Sequence, residues 1–221
     1  MSCYSIAKLK PMHADLLQKF RHARTDALKN NVNGVTLIEM LITLIILAVI
    51  LALAAPSYFE FIVKRKTTGA VENIAALIVN AKMEAIKRNR NVTVGFLNNF
   101  DGDNWCFGYQ VGNTTCDCGE DDDTDAAYCD VTETDGSVKS TRLYSGDFGD
   151  VTIGNFVTFS GATNFTFDPV NGLLTDTSDS GSLDVTSEND KYEVTIAING
   201  AGRVTQCTTS TKKLVGYDTC S

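Results

Sequence analysis

An uncharged stretch of twenty residues, from Met40 to Phe59, limits what this chain can fold into more than any other feature. As an α-helix, which rises about 1.5 Å per residue, the stretch covers roughly the 30 Å hydrocarbon core of a bilayer. No small-x-small cleavage site follows it, and the apolar residues continue into a long polar helical pattern. The stretch therefore predicts a retained single-pass membrane span, because a secretory signal peptide is shorter and is removed.

The charges beside the span do not fix its orientation. Residues 1–34 form a basic leader with six Lys or Arg and two Asp, and four of its cations lie near the span. Three more cations, Lys64 to Lys66, follow the span. A count of four against three decides little under the positive-inside rule, so the orientation must come from another feature.

The cysteines supply that feature. Cys3 lies in the leader, and the other six follow the span: Cys106, Cys116, Cys118, Cys129, Cys207 and Cys220. An even set on one side of a membrane is the pattern that disulfides in an oxidising compartment require. The residues after the span are therefore predicted to be exported.

The pairing of the cysteines is only partly determined. Cys116 and Cys118 are too close in sequence to bond each other, which leaves two pairings with Cys106 and Cys129. A bond from Cys207 to Cys220 would close a terminal loop and contribute roughly 3 kcal/mol. The alternative is a cytosolic zinc site built from the first four cysteines, but their spacings lack the paired CxxC knuckles of zinc ribbons.

Composition argues against an enzyme. Both histidines, His13 and His22, precede the span, so the rest of the chain lacks the commonest general base and metal ligand. The sequence has no GxSxG motif and no P-loop, and Gly200-Ala201-Gly202 lacks the third glycine of a dinucleotide loop. We predict a non-enzymatic protein without a cofactor.

The acidic residues leave one metal possibility. Asp101, Asp103 and the run Asp121 to Asp125 supply the hard oxygen ligands that Ca²⁺ prefers. No EF-hand spacing is present, and a solvated acidic surface is the other interpretation. The formal net charge of −8 also argues against a dedicated nucleic-acid coat, because phosphate binding depends on clustered Lys and Arg.

Glu39 lies beside the apolar span, where an unpaired carboxylate is costly and indicates a functional partner. The segment Gly34-Val35-Thr36-Leu37-Ile38-Glu39 resembles the class III signal sequence of type IV pilins and type II secretion pseudopilins. The resemblance implies that a prepilin peptidase cuts between Gly34 and Val35 and methylates the new amino terminus. It also implies that Glu39 pairs with the amine of a neighbouring subunit during assembly. That amine would be the missing counter-charge.

Three further features bear on this resemblance. Pro56 becomes residue 22 of the processed chain, where many pilins carry a proline that loosens the helix. Val35 replaces the usual phenylalanine. A leader of 34 residues is long for the family, which leaves the true start codon open.

Helical periodicity continues beyond the span. Apolar residues recur at steps of three and four, which predicts one helix over residues 36–90 with a single apolar stripe. The stripe comprises Phe59, Ile62, Val63, Ala70, Val71, Ile74, Leu77, Ile78, Ala81, Ala85 and Ile86. The predicted organisation is a cleaved leader (1–34), a transmembrane half-helix (35–59), an amphipathic half-helix (60–90) and a head (91–221).

The head has the pattern of a β domain. Short β-branched or aromatic runs alternate with Gly, Asn and Asp turns, and Asn171-Gly172 and Asn199-Gly200 are hairpin signals. The predicted strands are 92–96, 105–111, 156–159, 165–167, 183–185, 192–198 and 203–207. The predicted fold class is α+β, a pilin-like fold in which a long amino-terminal helix packs on an antiparallel β head.

Details of the head resemble the GspH/FimT branch of the pseudopilins. Trp105 to Val111 is similar to its Trp-plus-Gly strand, Phe167 to Gly172 to its Phe-x-Pro-x-Gly turn, and Gly202-Arg203 to its carboxy-terminal Gly-Arg strand. Residues 112–150, which hold three of the cysteines and the acidic run, look like an insertion peculiar to this chain.

The resemblance implies a minor pseudopilin of type II secretion or a minor pilin, a structural subunit that initiates or primes a type IV filament. The implied partners are other pilins or pseudopilins, the prepilin peptidase and the inner membrane, with the head in the periplasm. Residues 60–90 carry a net charge of +4 and residues 91–221 carry −15. We therefore expect basic helices and acidic heads to attract each other in a packed filament.

Two alternatives stay open. Some FimT-like proteins bind DNA in natural transformation through a Gly-Arg-x-Arg segment, and this chain keeps the first arginine, Arg203, but not the second. Lys212 and Lys213 lie nearby, although a head with a net charge of −15 repels phosphates, so nucleic acid is not the expected partner. The other alternative is an exported domain on an ordinary single-pass anchor.

Overall fold

The computed structural model describes residues 34–100, 104–112, 115–133, 135–158, 163–176 and 180–220. Residues 1–33 of the predicted leader, which include Cys3 and both histidines, therefore lie outside the described residues, as do Asp101 and Asp103. The chain divides into two compact units, one ending at Leu53 and the other running from Ala54 to Ser221. The first described element, helix α1, extends from Leu37 to Arg88.

The amino-terminal part of α1 has the character of a membrane span. It contains an apolar window long enough to cross a bilayer, and none of that window is buried against protein. Large apolar side chains such as Leu37, Leu44 and Leu53 are more than 60% exposed. An exposed helix that is apolar all round is unfavourable in water, so this part requires an apolar environment.

The carboxy-terminal part of α1 carries the buried stripe. Its buried residues repeat at steps of three and four: Val63, Thr67, Ala70, Val71, Ile74, Ala75, Leu77, Ile78, Ala81 and Ala85. The buried Thr67 hydroxyl donates to the carbonyl of Val63 at 2.9 Å, which satisfies a polar group in an apolar stripe. Phe59 and Ile86, both predicted in the stripe, are instead exposed. The buried face begins only at Val63, four residues after Phe59.

The end of α1 is a Schellman motif. Asn89 adopts a left-handed φ of 51°, the amide of Arg90 donates to Ala85, and the amide of Asn89 donates to Ile86. Helix α1 therefore ends at Arg88, two residues before the predicted end at residue 90.

Within the described residues, ten strands follow α1. Their bounds are β1 Val92–Phe100, β2 Asn104–Val111, β3 Asp130–Thr132, β4 Val138–Ser140, β5 Leu143–Tyr144, β6 Thr152–Thr158, β7 Asn164–Phe167, β8 Gly181–Thr186, β9 Glu193–Ile198 and β10 Val204–Thr208. A short 3-10 helix, Ser145–Phe148, lies between β5 and β6. Two four-stranded antiparallel sheets have the orders β5-β2-β1-β7 and β10-β9-β8-β6, and β3 pairs with β4.

One hydrophobic core joins α1 to both four-stranded sheets. It contains helix residues such as Ile74 and Ile78 together with Phe107 of β2 and Ile196 of β9, all of them at most 1% exposed. Strands β8 and β9 alternate buried and partly exposed residues, as the sequence pattern indicated. The α+β arrangement of a long helix followed by antiparallel sheets is confirmed.

The insertion at 112–150 is folded into the head. Three short strands, β3 to β5, arise within it, and the sequence analysis predicted none of them. Two disulfides, Cys106–Cys118 and Cys116–Cys129, tie it to β2 and across itself. All four cysteines are at most 3% exposed, so the insertion covers one face of the β1–β2 pair.

Two glycines allow this close cover. A Cβ atom built at Gly95 of β1 would lie 1.8 Å from the carbonyl oxygen of Cys116. One built at Gly108 of β2 would lie 2.7 Å from Cβ of Cys129. Only a residue without a side chain permits such an approach.

The third disulfide fixes the carboxy-terminal segment along β10. Cys207 bonds to Cys220, and Thr208 forms a parallel bridge with Thr219. The amide of Thr208 donates to Asp218 at 2.8 Å, and the amide of Cys220 donates to Thr208 at 3.0 Å. The edge of β10 is therefore paired at its Thr208 end.

One predicted turn has a different form. The loop between β9 and β10 spans Asn199 to Arg203, and its left-handed residue is Gly202, with a φ of 64°. The hairpin predicted from Asn199-Gly200 is present, since β9 and β10 pair antiparallel, but Gly202 and not Gly200 is the left-handed residue of the loop. Within the loop, the amide of Asn199 donates to Arg203 and the amide of Gly202 donates to Asn199.

Candidate processing and assembly site

The segment before α1 exposes the predicted cleavage site. Gly34 and Val35 are exposed, and among the described residues, its chain neighbours apart, no atom lies within 4 Å of the position where a Cβ of Gly34 would stand. Helix α1 begins at Leu37, so Thr36 alone separates Val35, the predicted new amino terminus, from the helix. The Gly34–Val35 peptide bond thus lies in accessible, non-helical chain.

Thr36 is the N-cap of α1, a role that the sequence analysis missed. Its hydroxyl accepts the amide of Glu39 at 3.3 Å, and its carbonyl accepts the amides of Glu39 at 3.1 Å and Met40 at 3.2 Å. The signal was present as Thr36-x-x-Glu39, which has the spacing of a capping box. Glu39 also stands in the first turn, where the helix dipole favours a carboxylate.

Glu39 is exposed in the single chain. Further along the apolar segment, the hydroxyl of Thr43 donates to the carbonyl of Met40 at 2.9 Å. Among the described residues no ion pair involves Glu39, so within that part of the chain its carboxylate has no cationic partner. Pro56 is also exposed, and α1 continues through it.

The head motifs meet around Lys82. A Cβ atom built at Gly202 would lie 2.6 Å from the carbonyl oxygen of Gly172 and 2.9 Å from the ring of Phe167. Lys82 of α1 donates to the carbonyls of Ala201 and Gly202, both at 3.1 Å. Gly172 and Gly202 thus lie where the turn after β7, the β9–β10 loop and α1 converge, and this close packing requires glycine.

Comparison with known families decides the assignment. A profile of the type II transport protein GspH family matches residues 70–202, more than half of the chain. A profile of the prokaryotic N-terminal methylation motif matches residues 29–55. The chain belongs to the GspH family. The predicted relationship to pseudopilins and minor pilins is confirmed, and the two matches together contain Gly34, Glu39, Gly172 and Gly202.

Solved structures and curated proteins add little to this assignment. The type IV minor pilin FimU of Pseudomonas aeruginosa matches in two crystal forms, each 16% identical to this GspH-family chain. The matches have TM-scores of 0.42 and 0.40, and they cover 69% and 66% of this chain and 99% of the FimU chain. No curated protein matches the chain.

The residues considered for DNA contact have separate roles in this GspH-family head. Arg203 and Lys213 are exposed. Lys212 is paired with Asp190 at 2.5 Å and Glu193 at 3.4 Å. These partners, with the hydrogen bond to Asp190 as the largest cause, raise the pKa of Lys212. One of the three predicted cations is therefore committed to carboxylates of its own head.

The acidic run folds on itself. Asp117, Asp122 and Asp125 each accept a backbone amide two residues ahead, at 2.7 to 2.9 Å. These are the local turns that aspartate favours in loops. Among the described residues, no group of three or more His, Cys, Asp or Glu is arranged to hold a metal ion. A calcium role for this run has no geometric support within those residues.

Substituting Gly202 tests the contact around Lys82. We expect Gly202→Ala to lower the free energy of unfolding by about 3 kcal/mol, because it combines left-handed backbone strain with a clash against the Gly172 carbonyl. Gly136→Ala is the control, since Gly136 has a φ of 83° and open space around it. The control is expected to cost only about 1 kcal/mol. Thermal unfolding of the full chain in detergent measures both, and equal losses would contradict the contact.

Proposed function

We propose that this protein is a minor pseudopilin or minor pilin that primes a type IV filament for type II secretion or pilus biogenesis, and that it is not an enzyme. The observation that carries the proposal is the accessible Gly34–Val35 bond, which directly precedes a capped and exposed apolar helix with Glu39 in its first turn. A GspH-family head follows the same helix. The protein is proposed to reside in the inner membrane with its head in the periplasm.

The first step is processing. A prepilin peptidase removes the leader after Gly34, which leaves Val35 with a free amine one residue before the N-cap Thr36. The membrane span holds the processed subunit in the bilayer. Because the helix cap does not depend on the leader, α1 keeps its first turn after the cut.

The second step is assembly. In a single subunit, the exposed Glu39 can reach headgroups or water near the membrane surface. In a filament, apolar helices surround it, and the Val35 amine of a neighbouring subunit becomes its counter-charge. An unpaired carboxylate in that environment costs several kcal/mol, so the pair favours a defined register between subunits.

The expected attraction between basic residues 60–90 and acidic heads depends on which of these cations are already paired within the subunit. Lys66 pairs with Glu188 at 3.4 Å, and Arg88 pairs with Glu84 at 2.5 Å and Glu133 at 2.9 Å. These basic groups are therefore neutralised within their own subunit. Within the described part of the chain, Arg65 and Arg90 form no ion pair and are exposed, so they are the cations available to an acidic neighbour.

Replacing Gly34 tests the processing step. We expect Gly34→Glu to abolish cleavage, so that a precursor about 34 residues longer stays in the membrane, because the peptidase of this family requires a small residue before the cut. Intact mass spectrometry of the membrane fraction measures the length and the methylation of the amino terminus. The control is Gly146→Glu, an exposed head glycine with open space around it. An uncut chain that begins at Met1 in the wild type would contradict the proposal.

A further inference from the structure

Aromatic and basic side chains occur together where the apolar span ends. Tyr58, Phe59 and Phe61 are 63%, 65% and 59% exposed. The cations Lys64, Arg65 and Lys66 follow within one to two helical turns. Exposed aromatic residues and cations at the end of a span are typical of the interface between acyl chains and headgroups.

Part of this region forms a cleft. Tyr58, Phe61, Ile62 and Arg65 have the i, i+3, i+4, i+7 spacing of one helix face. Together with Lys66 and the end of the 3-10 helix they line a cavity of about 300 Å³. The cleft therefore has an apolar floor and two cations on its rim.

The opposite wall of the cleft is fixed to the core. The ring of Phe148 stacks on Trp105 with centroids 5.9 Å apart, and its edge lies 3.7 Å from the Cβ position of Gly69 in α1. Trp105 in turn donates from its indole nitrogen to the carbonyl of Val151 at 2.7 Å. Phe148 is thus held by buried groups, and the cleft is a preformed feature of the head.

The charge around the cleft favours an anion. Arg65 is exposed and, among the described residues, forms no ion pair. Lys66 is 39% exposed at its side chain and shares its charge with Glu188 at 3.4 Å. Asp147, on the same rim, is the one carboxylate among the described residues that line the cleft. Because Glu188 balances the charge of Lys66, Arg65 is the cation on this rim that is left to attract an anion above the apolar floor.

Lys64 belongs to a different face, although it is next to Arg65 in sequence. Its ammonium lies 5.2 Å from the ring centroid of Tyr192 and 3.9 Å from Glu60. The hydroxyl of Tyr192 donates to Glu60, and this bond, together with Lys64 and Lys191, lowers the pKa of Glu60. Lys64 is therefore engaged with the head and does not line the cleft.

We propose that this cleft binds an anionic phospholipid, with the headgroup phosphate at Arg65 and Lys66 and one acyl chain along Tyr58 and Phe61. The argument is charge complementarity and the position of the cleft, which directly follows the apolar span. Such a contact sets the depth of the subunit in the bilayer and must be released when the subunit leaves the membrane. The inference rests on the membrane anchoring in the proposed function, but not on processing or filament assembly.

The test is lipid retention by the full chain in detergent, measured by native mass spectrometry with added phosphatidylglycerol or phosphatidylcholine. We expect wild type to retain phosphatidylglycerol in clear excess. Arg65→Gln should reduce that excess roughly fivefold, the usual effect of one cation at an anionic surface. Arg65→Gln with Lys66→Gln should reduce retention of phosphatidylglycerol to that of phosphatidylcholine. Far-ultraviolet circular dichroism and Trp105 fluorescence report whether the variants are folded.

The matched control is Lys64→Gln, which removes the same charge one residue away but outside the cleft. It should leave the preference for phosphatidylglycerol unchanged. If Lys64→Gln and Arg65→Gln reduce the retention of phosphatidylglycerol equally, the lipid is attracted by the surface charge in general and the proposed site in the cleft is wrong. Equal retention of the two lipids by wild type would also overturn the proposed lipid site. So would displacement of phosphatidylglycerol by excess inorganic phosphate, or retention of an acidic neighbouring head without lipid. Failure of the full chain to enter phosphatidylcholine nanodiscs would instead contradict the anchoring in the proposed function.

Discussion

Glu39→Gln is expected to leave membrane insertion and leader cleavage intact while reducing incorporation into the filament about a hundredfold. Insertion depends on the apolar run, which the substitution does not change. Assembly depends on the charge pair, and removal of one partner of a buried pair costs about 3 kcal/mol or more. Co-purification with the other filament subunits, compared between wild type and variant, measures the loss.

Glutamine is the informative substitution because it separates the two roles available to Glu39. A capping box accepts glutamate or glutamine, so Glu39→Gln preserves the helix cap. It cannot supply a negative charge to the Val35 amine of a neighbour. Thr43→Ala is the matched control, since Thr43 is a polar residue of the same apolar segment whose hydroxyl donates to the carbonyl of Met40 within the helix. Equal incorporation of Glu39→Gln and wild type would leave Glu39 with a capping role alone.

Gly95→Ala is expected to have the largest effect on the head. Its Cβ would stand 1.8 Å from the carbonyl oxygen of Cys116 and 2.8 Å from Oδ1 of Asn164. The backbone of Cys116 is itself held by a disulfide and by a hydrogen bond from its amide to Asn164 at 3.1 Å. Because the backbone of Cys116 is fixed in this way, it cannot move to relieve the clash. We expect Gly95→Ala to lower the free energy of unfolding by about 4 kcal/mol.

The melting temperature of the full chain in detergent measures this loss, which corresponds to a decrease of roughly 8–16 °C. Gly154→Ala in β6 is the matched control, because Gly154 is also a strand glycine but, among described groups other than its chain neighbours, no atom lies within 4 Å of its Cβ position. If Cys116 and Cys129 of Gly95→Ala become reduced and alkylated at a lower concentration of reductant than in wild type, the insertion has detached from the sheet. Unchanged melting of Gly95→Ala would contradict the packing of the insertion on β1.

Periodic features were predictable from the sequence because each depends on neighbours along the chain. The span, the end of α1 near Asn89 and the alternation in β8 and β9 all follow from local spacing. Thr36-x-x-Glu39 was equally local. It was missed because the same residues were interpreted only as a signal sequence.

Contacts between distant parts of the chain were not predictable in the same way. Gly95 faces Cys116, and Gly202 faces Gly172 thirty residues away, so neither requirement for glycine is visible in its own segment. The strands β3 to β5 are short and partly exposed, which leaves little apolar alternation to recognise. The choice between the two disulfide pairings likewise depends on how the insertion folds over β2.

The paired end of β10 limits how copies of this head can associate. An unpaired edge strand offers amides and carbonyls to any extended chain, and such strand addition produces uncontrolled growth. Here the carboxy-terminal segment already occupies the Thr208 end of that edge, and the Cys207–Cys220 bond prevents it from peeling away. Polymerisation through backbone pairing is thereby blocked at this end of β10.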